Sequence, residues 1–350
     1  MKTEEAWSLF QHLTNSLVKE DLGDPRLPTQ WPSEASAIIA GPRGPKVLGA
    51  CRRASFLRLA QTTAYFDKSY TAPTGLVRDP PADYMRYIWK AGELYEDWLI
   101  EQMKVSGVFI QSQPTMYIPE CNLSGKADAV GINPLTGLYF LSEIKSGFSF
   151  NMDYTLGKPA DNRRGIGGKP RDSNLMQLAL YHWHKAAKDP RFEESRLLYG
   201  DRGTGRYGEY LVKTVDDAIF YRMIVPVEQS WIKSPITISS ILECYKYIKD
   251  HVDRRIVPPR DFDLQYSREQ VDDLYKAGEL NRTNSIKYEK IKEKEEENKA
   301  RAETKGKKLL KELKPLELGD YQCARCDYRR FCYDEHGQPR DEVQPLSTRE

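Results

Sequence analysis

The spacing of apolar residues changes twice between residues 84 and 186, and this change restricts the fold more than any other feature of the chain. From Tyr84 to Val105, Tyr87, Ile88, Ala91, Leu94, Tyr95, Trp98, Leu99 and Met103 recur every three or four residues, the spacing of one helix face. From Val108 the period is two, and VFIQSQPTMYI, SGKADAVGI and GLYFLSEIKS predict three strands. Asn133-Pro134-Leu135-Thr136-Gly137 predicts a turn that joins the last two as an antiparallel hairpin. A polar, basic, glycine-rich loop follows, roughly Gly157 to Asp172. Then LMQLALYHWHKAAK returns to helical spacing, with Ser173 or Asn174 as its N-cap. Strands flanked by amphipathic helices imply an α/β domain.

The flanks are less regular. Residues up to about 45 predict a short helix and then a loop rich in Pro and Gly (Pro25, Pro28, Pro32, Gly41, Pro42, Gly44, Pro45) that delivers Cys51. CRRASFLRLAQTTAYF is helical, with Phe56, Leu57, Leu59 and Ala60 at the apolar positions. Downstream, SRLLYGDRGTGRYGEYLVKTV and AIFYRMIVPV predict one or two further strands, and ITISSILECYKYIKDHV a helix. SREQVDDLY opens with a capping-box pattern, Ser267 with Gln270. The stretch that follows to about Lys314 is almost all Lys and Glu, and its nearly cancelling charges favour a solvated helix over a DNA-touching arm. The chain divides into an N-terminal helix and loop (1–50), a core (51–260), a charged helical segment (261–315) and a C-terminal cysteine segment with a tail (316–350).

With 350 residues, 39% of them apolar, the chain can bury a sizeable core. Its net charge of +2 means that any nucleic-acid surface must be local. MKTEEAWSLF is acidic and amphipathic rather than basic and apolar, so neither secretion nor membrane insertion is expected, and a cytoplasmic protein is. In that compartment six cysteines point to metal or catalysis rather than disulfides. Cys121 and Cys244 are solitary and predicted to be buried thiols. Cys323, Cys326 and Cys332 crowd together and need a fourth soft ligand, for which Cys51 is the candidate. Both zinc and an iron-sulfur cluster accept four thiolates.

Residues two apart in a strand share a face, so Glu143 and Lys145 point together and Ile144 points away. If the hairpin brings Asp128 beside Glu143, two carboxylates converge where hard oxygen ligands suit magnesium or manganese. Phosphodiester hydrolysis needs such parts. A divalent cation offsets the charge gathering on the phosphoryl oxygens and acidifies a bound water, while a lysine adds positive charge next to the attacking oxygen.

GKADAVG followed fifteen residues after Asp128 by Glu143-Ile144-Lys145 resembles the motif of the PD-(D/E)XK nucleases, with Ala127 in place of proline as in the RecB-like branch. Gln177 and Tyr181, four apart on the following helix, resemble that branch's Gln-x-x-x-Tyr motif, and Gly92 with Glu96 in GELYEDW resembles its upstream helical motif. The resemblance implies a restriction-endonuclease-like core: a mixed central sheet flanked by helices, with helical N- and C-terminal segments joined by a metal cluster. Asp128, Glu143, the Ile144 carbonyl and Glu96 would bind Mg2+ or Mn2+, although Glu93 and Asp97 share the face of Glu96. Lys145 would assist the attacking water, and Gln177 and Tyr181 would orient the site. The cysteine pattern resembles the 4Fe-4S clip of AddB-type and CRISPR-associated RecB-like nucleases, which implies Cys51, Cys323, Cys326 and Cys332 as cluster ligands.

Closing so long a loop is worth about 5 kcal/mol. Arg52, Arg53, Arg325, Arg329 and Arg330 beside these cysteines suggest a basic patch. Arg163, Arg164, Lys169 and Arg171 are the candidates for touching the DNA backbone. The expected activity is a DNA exonuclease acting on single strands or duplex ends in recombination, repair or end processing. Lacking a Walker A motif, it would rely on a helicase or recombination partner for strand opening. The competing expectation is a nuclease-fold scaffold that binds DNA or protein without cutting.

Overall fold

The computed structural model describes residues 27–76, 78–79, 83–148, 152–305 and 316–340, so the N-terminal helix expected before residue 27 lies outside it. Strands run at β1 (Ser36–Gly41), β2 (Gly44–Gly49), β3 (Phe109–Ser112), β4 (Thr115–Ile118), β5 (Leu123–Lys126), β6 (Ala129–Ile132), β7 (Tyr139–Gly147), β8 (Ser195–Asp201), β9 (Tyr207–Val215), β10 (Ala218–Val225) and β11 (Ile232–Thr237). The helices are α1 (Arg52–Phe66), α2 (Asp83–Val105), α3 (Asp153–Leu156), α4 (Pro159–Asn162), α5 (Asp172–Ala186), α6 (Ile238–Asp253), α7 (Arg268–Lys276), α8 (Arg282–Lys305), α9 (Tyr321–Ala324) and α10 (Arg329–Cys332).

The architecture is α/β, built on a seven-stranded mixed sheet in the order β11-β10-β9-β8-β7-β6-β3. Within it β7 and β8 are parallel and the other neighbours antiparallel. A parallel pair needs a crossover. Here α5 lies between β7 and β8 in sequence and packs on the sheet. Its Leu175, Met176, Leu178 and Ala179 join Ile241 and Tyr245 of α6 over Leu141, Leu197, Tyr210, Val212 and Ile219. On the opposite side Ile100, Tyr95, Leu99 and Met103 of α2 meet Ala129, Ile144 and Leu198. Each such fully buried aliphatic contributes about 1.5–3 kcal/mol, which fixes both helices against β7. A third cluster joins Phe56, Leu57 and Leu59 of α1 to Ile248 of α6, Tyr328 and Phe331.

Several predicted elements differ in detail. VFIQSQPTMYI divides into β3 and β4 because Gln113 turns into the left-handed region at φ 48° and Pro114 cannot donate to a ladder. SGKADAVGI divides at Ala127-Asp128, and β4 pairs with β5 in a separate ribbon. The Pro- and Gly-rich loop before Cys51 holds another ribbon, β1 with β2, closed on Pro42-Arg43 with Gly44 at φ 108°. Ile38, Ile39, Val47 and Leu48 on either side of a two-residue turn outweigh the prolines. Helix α5 starts at Asp172 with Arg171 as N-cap, earlier than Ser173 or Asn174 implied. Three strands, not one or two, lie between Ser195 and Val225.

Capping boxes open α6 (Thr237 with Ser240) and α7 (Ser267 with Gln270). Helix α8 is mostly exposed. It rests on α7 through Tyr288 against Tyr275, with ion pairs Lys292–Asp272 at 3.3 Å and Arg268–Glu295. Among the described residues no helix is long and apolar enough to cross a membrane.

Candidate active site

The β6–β7 register pairs Ala129 with Ser142, and one further step sets Asp128 opposite Glu143. Strand β6 begins only after Asp128, whose N–H still donates to the Ser142 carbonyl at 3.1 Å. One Asp128 oxygen accepts from the Ile144 N–H at 2.5 Å, so the structure engages Ile144 through its backbone amide. Glu143 is 1% exposed. Its Oε1 accepts from Lys145 Nζ at 2.5 Å, and its Oε2 is buried with no partner.

Helix α2 decides among three acids. Glu93 and Asp97 are exposed, whereas Glu96 is half-buried. Burial pushes the Glu96 carboxyl up to about 7, reinforced by the charge of Asp128 and opposed by Lys145. Burial also raises Glu143, with Asp128 adding to it, and raises Asp128 against the pull of Lys145. Lys145 is itself desolvated, yet Glu143 and Asp128 hold its pKa above the usual lysine value. Three carboxylates thus share one electrostatic environment with one ammonium.

A carboxyl whose native pKa is raised stabilises the fold while protonated, and that stability is lost as pH rises through the native value. Glu96 sets the window, from its ordinary 4.5 to about 7. Without divalent cations, thermal stability should therefore fall between pH 5 and 8. Mn2+ should raise Tm more at pH 8 than at pH 6, since ligands must be deprotonated. Thermal melts at both pH values, with and without Mn2+, check this; an equal Mn2+ effect at both would refute it.

Gln177 and Tyr181 of α5 are both buried, and Tyr181 Oη donates to the Lys126 carbonyl at 2.7 Å. Tyr181 thereby braces the chain two residues before Asp128. Tyr181 also feels the charge of Glu143, which places the pair beside the acids. Gly125 admits this approach, since a Cβ there would stand 2.8 Å from Tyr181 Oη.

Tyr199 adjoins the lysine of this site, and Asn174, an N-cap candidate by sequence, is bonded to Tyr199 instead. Tyr199 is the β8 partner of Lys145, and its Oη accepts from Asn174 Nδ2 at 3.0 Å and from the Arg171 N–H at 3.2 Å. The alternation in SRLLYGD carried that signal, but only the parallel register assigns Tyr199 to Lys145. Gly200 lies one step further on. A Cβ there would sit 1.9 Å from Tyr95 Oη and 2.2 Å from its ring. Gly200→Ala should cost about 1–3 kcal/mol by overpacking and, by pushing α2 away, weaken Mn2+ binding; denaturant melts and calorimetric titration measure both.

The basic loop is distributed unevenly. Arg163 is exposed, and Arg164 is exposed but tied to Asp161. Lys169 is exposed, anchored by its N–H to the Tyr154 carbonyl at 3.0 Å. Arg171 is bonded through its amide to Tyr199, the β8 partner of Lys145.

Cys51, Cys323, Cys326 and Cys332 line one cavity together with Arg53, Phe262 and Tyr333, and all four are free thiols. Cys51 precedes α1, and the other three lie on or beside α9 and α10. Burial, then Asp261 and the neighbouring thiols Cys326 and Cys323, push Cys51 up to about 12. Cys121 and Cys244 are buried elsewhere, as solitary thiols were predicted to be. The arginines near these cysteines differ in surroundings, Arg325 and Arg329 being exposed. Arg52 is bound to Asp261 at 2.5 Å, Arg53 is 5% exposed, and Arg330 pairs with Asp79 at 3.1 Å.

Among the described residues no group of three or more His, Cys, Asp or Glu side chains is placed so as to hold a metal ion. The donor chemistry nevertheless suits two different guests. An unpartnered Glu143 oxygen, beside carboxylates that disfavour one another's ionisation, is a donor of the kind a hard divalent cation takes. Four thiols on one cavity wall suit a soft centre. Compared with known proteins, the chain matches no family model, no curated protein and no solved structure.

Proposed function

We propose that the protein is a Mg2+- or Mn2+-dependent DNA exonuclease with a PD-(D/E)XK core of the RecB-like branch. It acts on single strands or duplex ends in recombination, repair or end processing. One observation carries this reading: Glu143 is buried with one oxygen given to Lys145 and the other unpartnered, while Asp128 stands opposite and Glu96 shares their field. A cluster of this charge is costly to keep inside a fold for structural purposes alone. Glu96, Asp128 and Glu143 would hold the cation, which when bound offsets charge on the phosphoryl oxygens. Lys145, kept charged by its two acids, would hold a water or a phosphoryl oxygen beside Glu143. Tyr181 ties down the Lys126 segment and so the position of Asp128, with Gln177 one helical turn before it on the same face.

The four cysteines would hold a 4Fe-4S cluster, the centre of a clip between α1 and the C-terminal segment. A brown anaerobic preparation that bleaches in air supports it, and a colourless one containing zinc opposes it. The enzymatic reading is tested with end-labelled single-stranded, blunt and tailed DNA, each end blocked in turn, in Mg2+, in Mn2+ and in chelator. Degradation that requires the cation and is abolished by Asp128→Asn supports the nuclease. Binding without degradation by the intact protein favours a scaffold.

A further inference from the structure

Arg202 differs in its surroundings from the other basic residues near the candidate site. It follows β8 directly, where Asp201 pairs with Gly147 at the end of β7, and its N–H donates to the Gly147 carbonyl at 2.8 Å. Tyr199 lies beside Lys145, so Arg202 begins three residues beyond the lysine, roughly 10 Å at about 3.3 Å per residue.

Its guanidinium carbon lies 4.5 Å from the centroid of the Phe148 ring, and Nη1 donates to the Ile88 carbonyl of α2 at 3.3 Å. Its Nε is buried and unpartnered. Burial lowers its pKa with no acidic neighbour opposing the shift. By contrast Arg164 and Arg206 are paired with acids, Asp161 and Asp153. Phe148, the next residue after β7, is 47% exposed.

A half-exposed aromatic ring carrying a cation, one strand end from a phosphodiester site, offers a nucleotide two complementary contacts. Rings stack bases without regard to sequence, and guanidinium groups donate to phosphates in forked geometry. We propose that Arg202 and Phe148 form a clamp for single-stranded DNA, the guanidinium holding a backbone phosphate and the ring holding a base as the strand passes Lys145. The clamp rests on the nuclease reading above and adds to it a positioning pair that takes no part in hydrolysis. Phe148 explains how bases are sensed, which the basic loop cannot do.

The test uses the full chain carrying Glu143→Gln, so that substrate survives, titrated with a fluorescent single strand and with an abasic strand of equal length over a range of salt. Phe148→Ala should weaken binding of the base-bearing strand about tenfold and leave the abasic strand unaffected. Arg202→Gln should weaken both strands and reduce the slope of log affinity against log salt by about 0.7, one counterion on a single strand. Arg202→Lys, which keeps the charge, should retain the slope.

Loss of packing alone would change neither the salt slope nor the discrimination between strands. An unchanged slope in Arg202→Gln, or equal losses on both strands in Phe148→Ala, overturns the clamp while leaving the nuclease intact. Tighter binding of blunt duplex than of single strand also overturns it. No binding of any DNA by the Glu143→Gln protein removes the nuclease reading and the clamp together.

Discussion

Glu143→Gln is expected to lower the rate of DNA degradation by on the order of 10³-fold or more while raising thermal stability at pH 8. The two effects have one cause. Glutamine keeps the volume, and its amide oxygen can still accept from Lys145, but it removes a charge that burial and Asp128 make costly. The fold gains what the site loses, a trade-off common where function demands an unfavourable arrangement. Affinity for Mn2+ should fall as well, because an oxygen ligand of full charge becomes a weaker neutral one. Degradation assays, calorimetric Mn2+ titration and melts at pH 8 read the three quantities. A variant that melts lower than the parent yet degrades DNA normally would mean that Glu143 is a structural partner of Lys145 and nothing more.

Cys326→Ser should lower Tm by roughly 5–10 °C under anaerobic conditions. Cys51 and Cys323 are 272 residues apart (323 − 51), and tying them restricts the unfolded chain by about 5 kcal/mol. At about 2.1 cal/mol/K of unfolding entropy per residue, a chain of 350 residues loses between one and two degrees per kcal/mol. The structure moderates the expectation. Tyr328 and Phe331 already pack on Phe56 and Leu57, and Gln322 donates to the Gly49 carbonyl at 2.6 Å, so the two ends remain docked without a metal. Protease digestion distinguishes local from global loss: cutting confined to residues beyond 316 means that the clip holds only its own segment. An unchanged Tm would show that the thiols are spectators.

What could be read from the sequence follows from which signals are local. The hairpin carrying Asp128 and Glu143 was legible because strand alternation and the turn from Asn133 to Gly137 fix register over a few residues. The Ser267–Gln270 capping box was legible for the same reason, whereas the Thr237–Ser240 box, with serine in place of Glu or Gln at its third position, was not read. The split at Gln113-Pro114 was not, since a left-handed glutamine gives no periodic signal. Nor was the ribbon before Cys51, where proline content masked two short alternating runs. Gln177 and Tyr181 were found by motif, but the target of Tyr181, the Lys126 carbonyl, is a backbone group that no residue type announces. Choosing Glu96 over Glu93 and Asp97 required the tilt of α2 on β7, which helical periodicity leaves open by one position either way. Tyr199, Asn174, Arg202 and Phe148 were out of reach because parallel pairing across a crossover sets their neighbours.

The chain enters and leaves the paired helices α7 and α8 at adjoining points. The Tyr266 N–H donates to the Leu318 carbonyl at 2.7 Å, and the Asp320 N–H to that of Asp263 at 2.7 Å. A segment whose doorposts are stitched together is a module: it can be lengthened, exchanged or trimmed to a short connector without re-threading the sheet. Variation among proteins built on this plan should therefore concentrate there, and an affinity tag or fluorescent reporter spliced into the helical pair would leave Asp128 and Glu143 undisturbed.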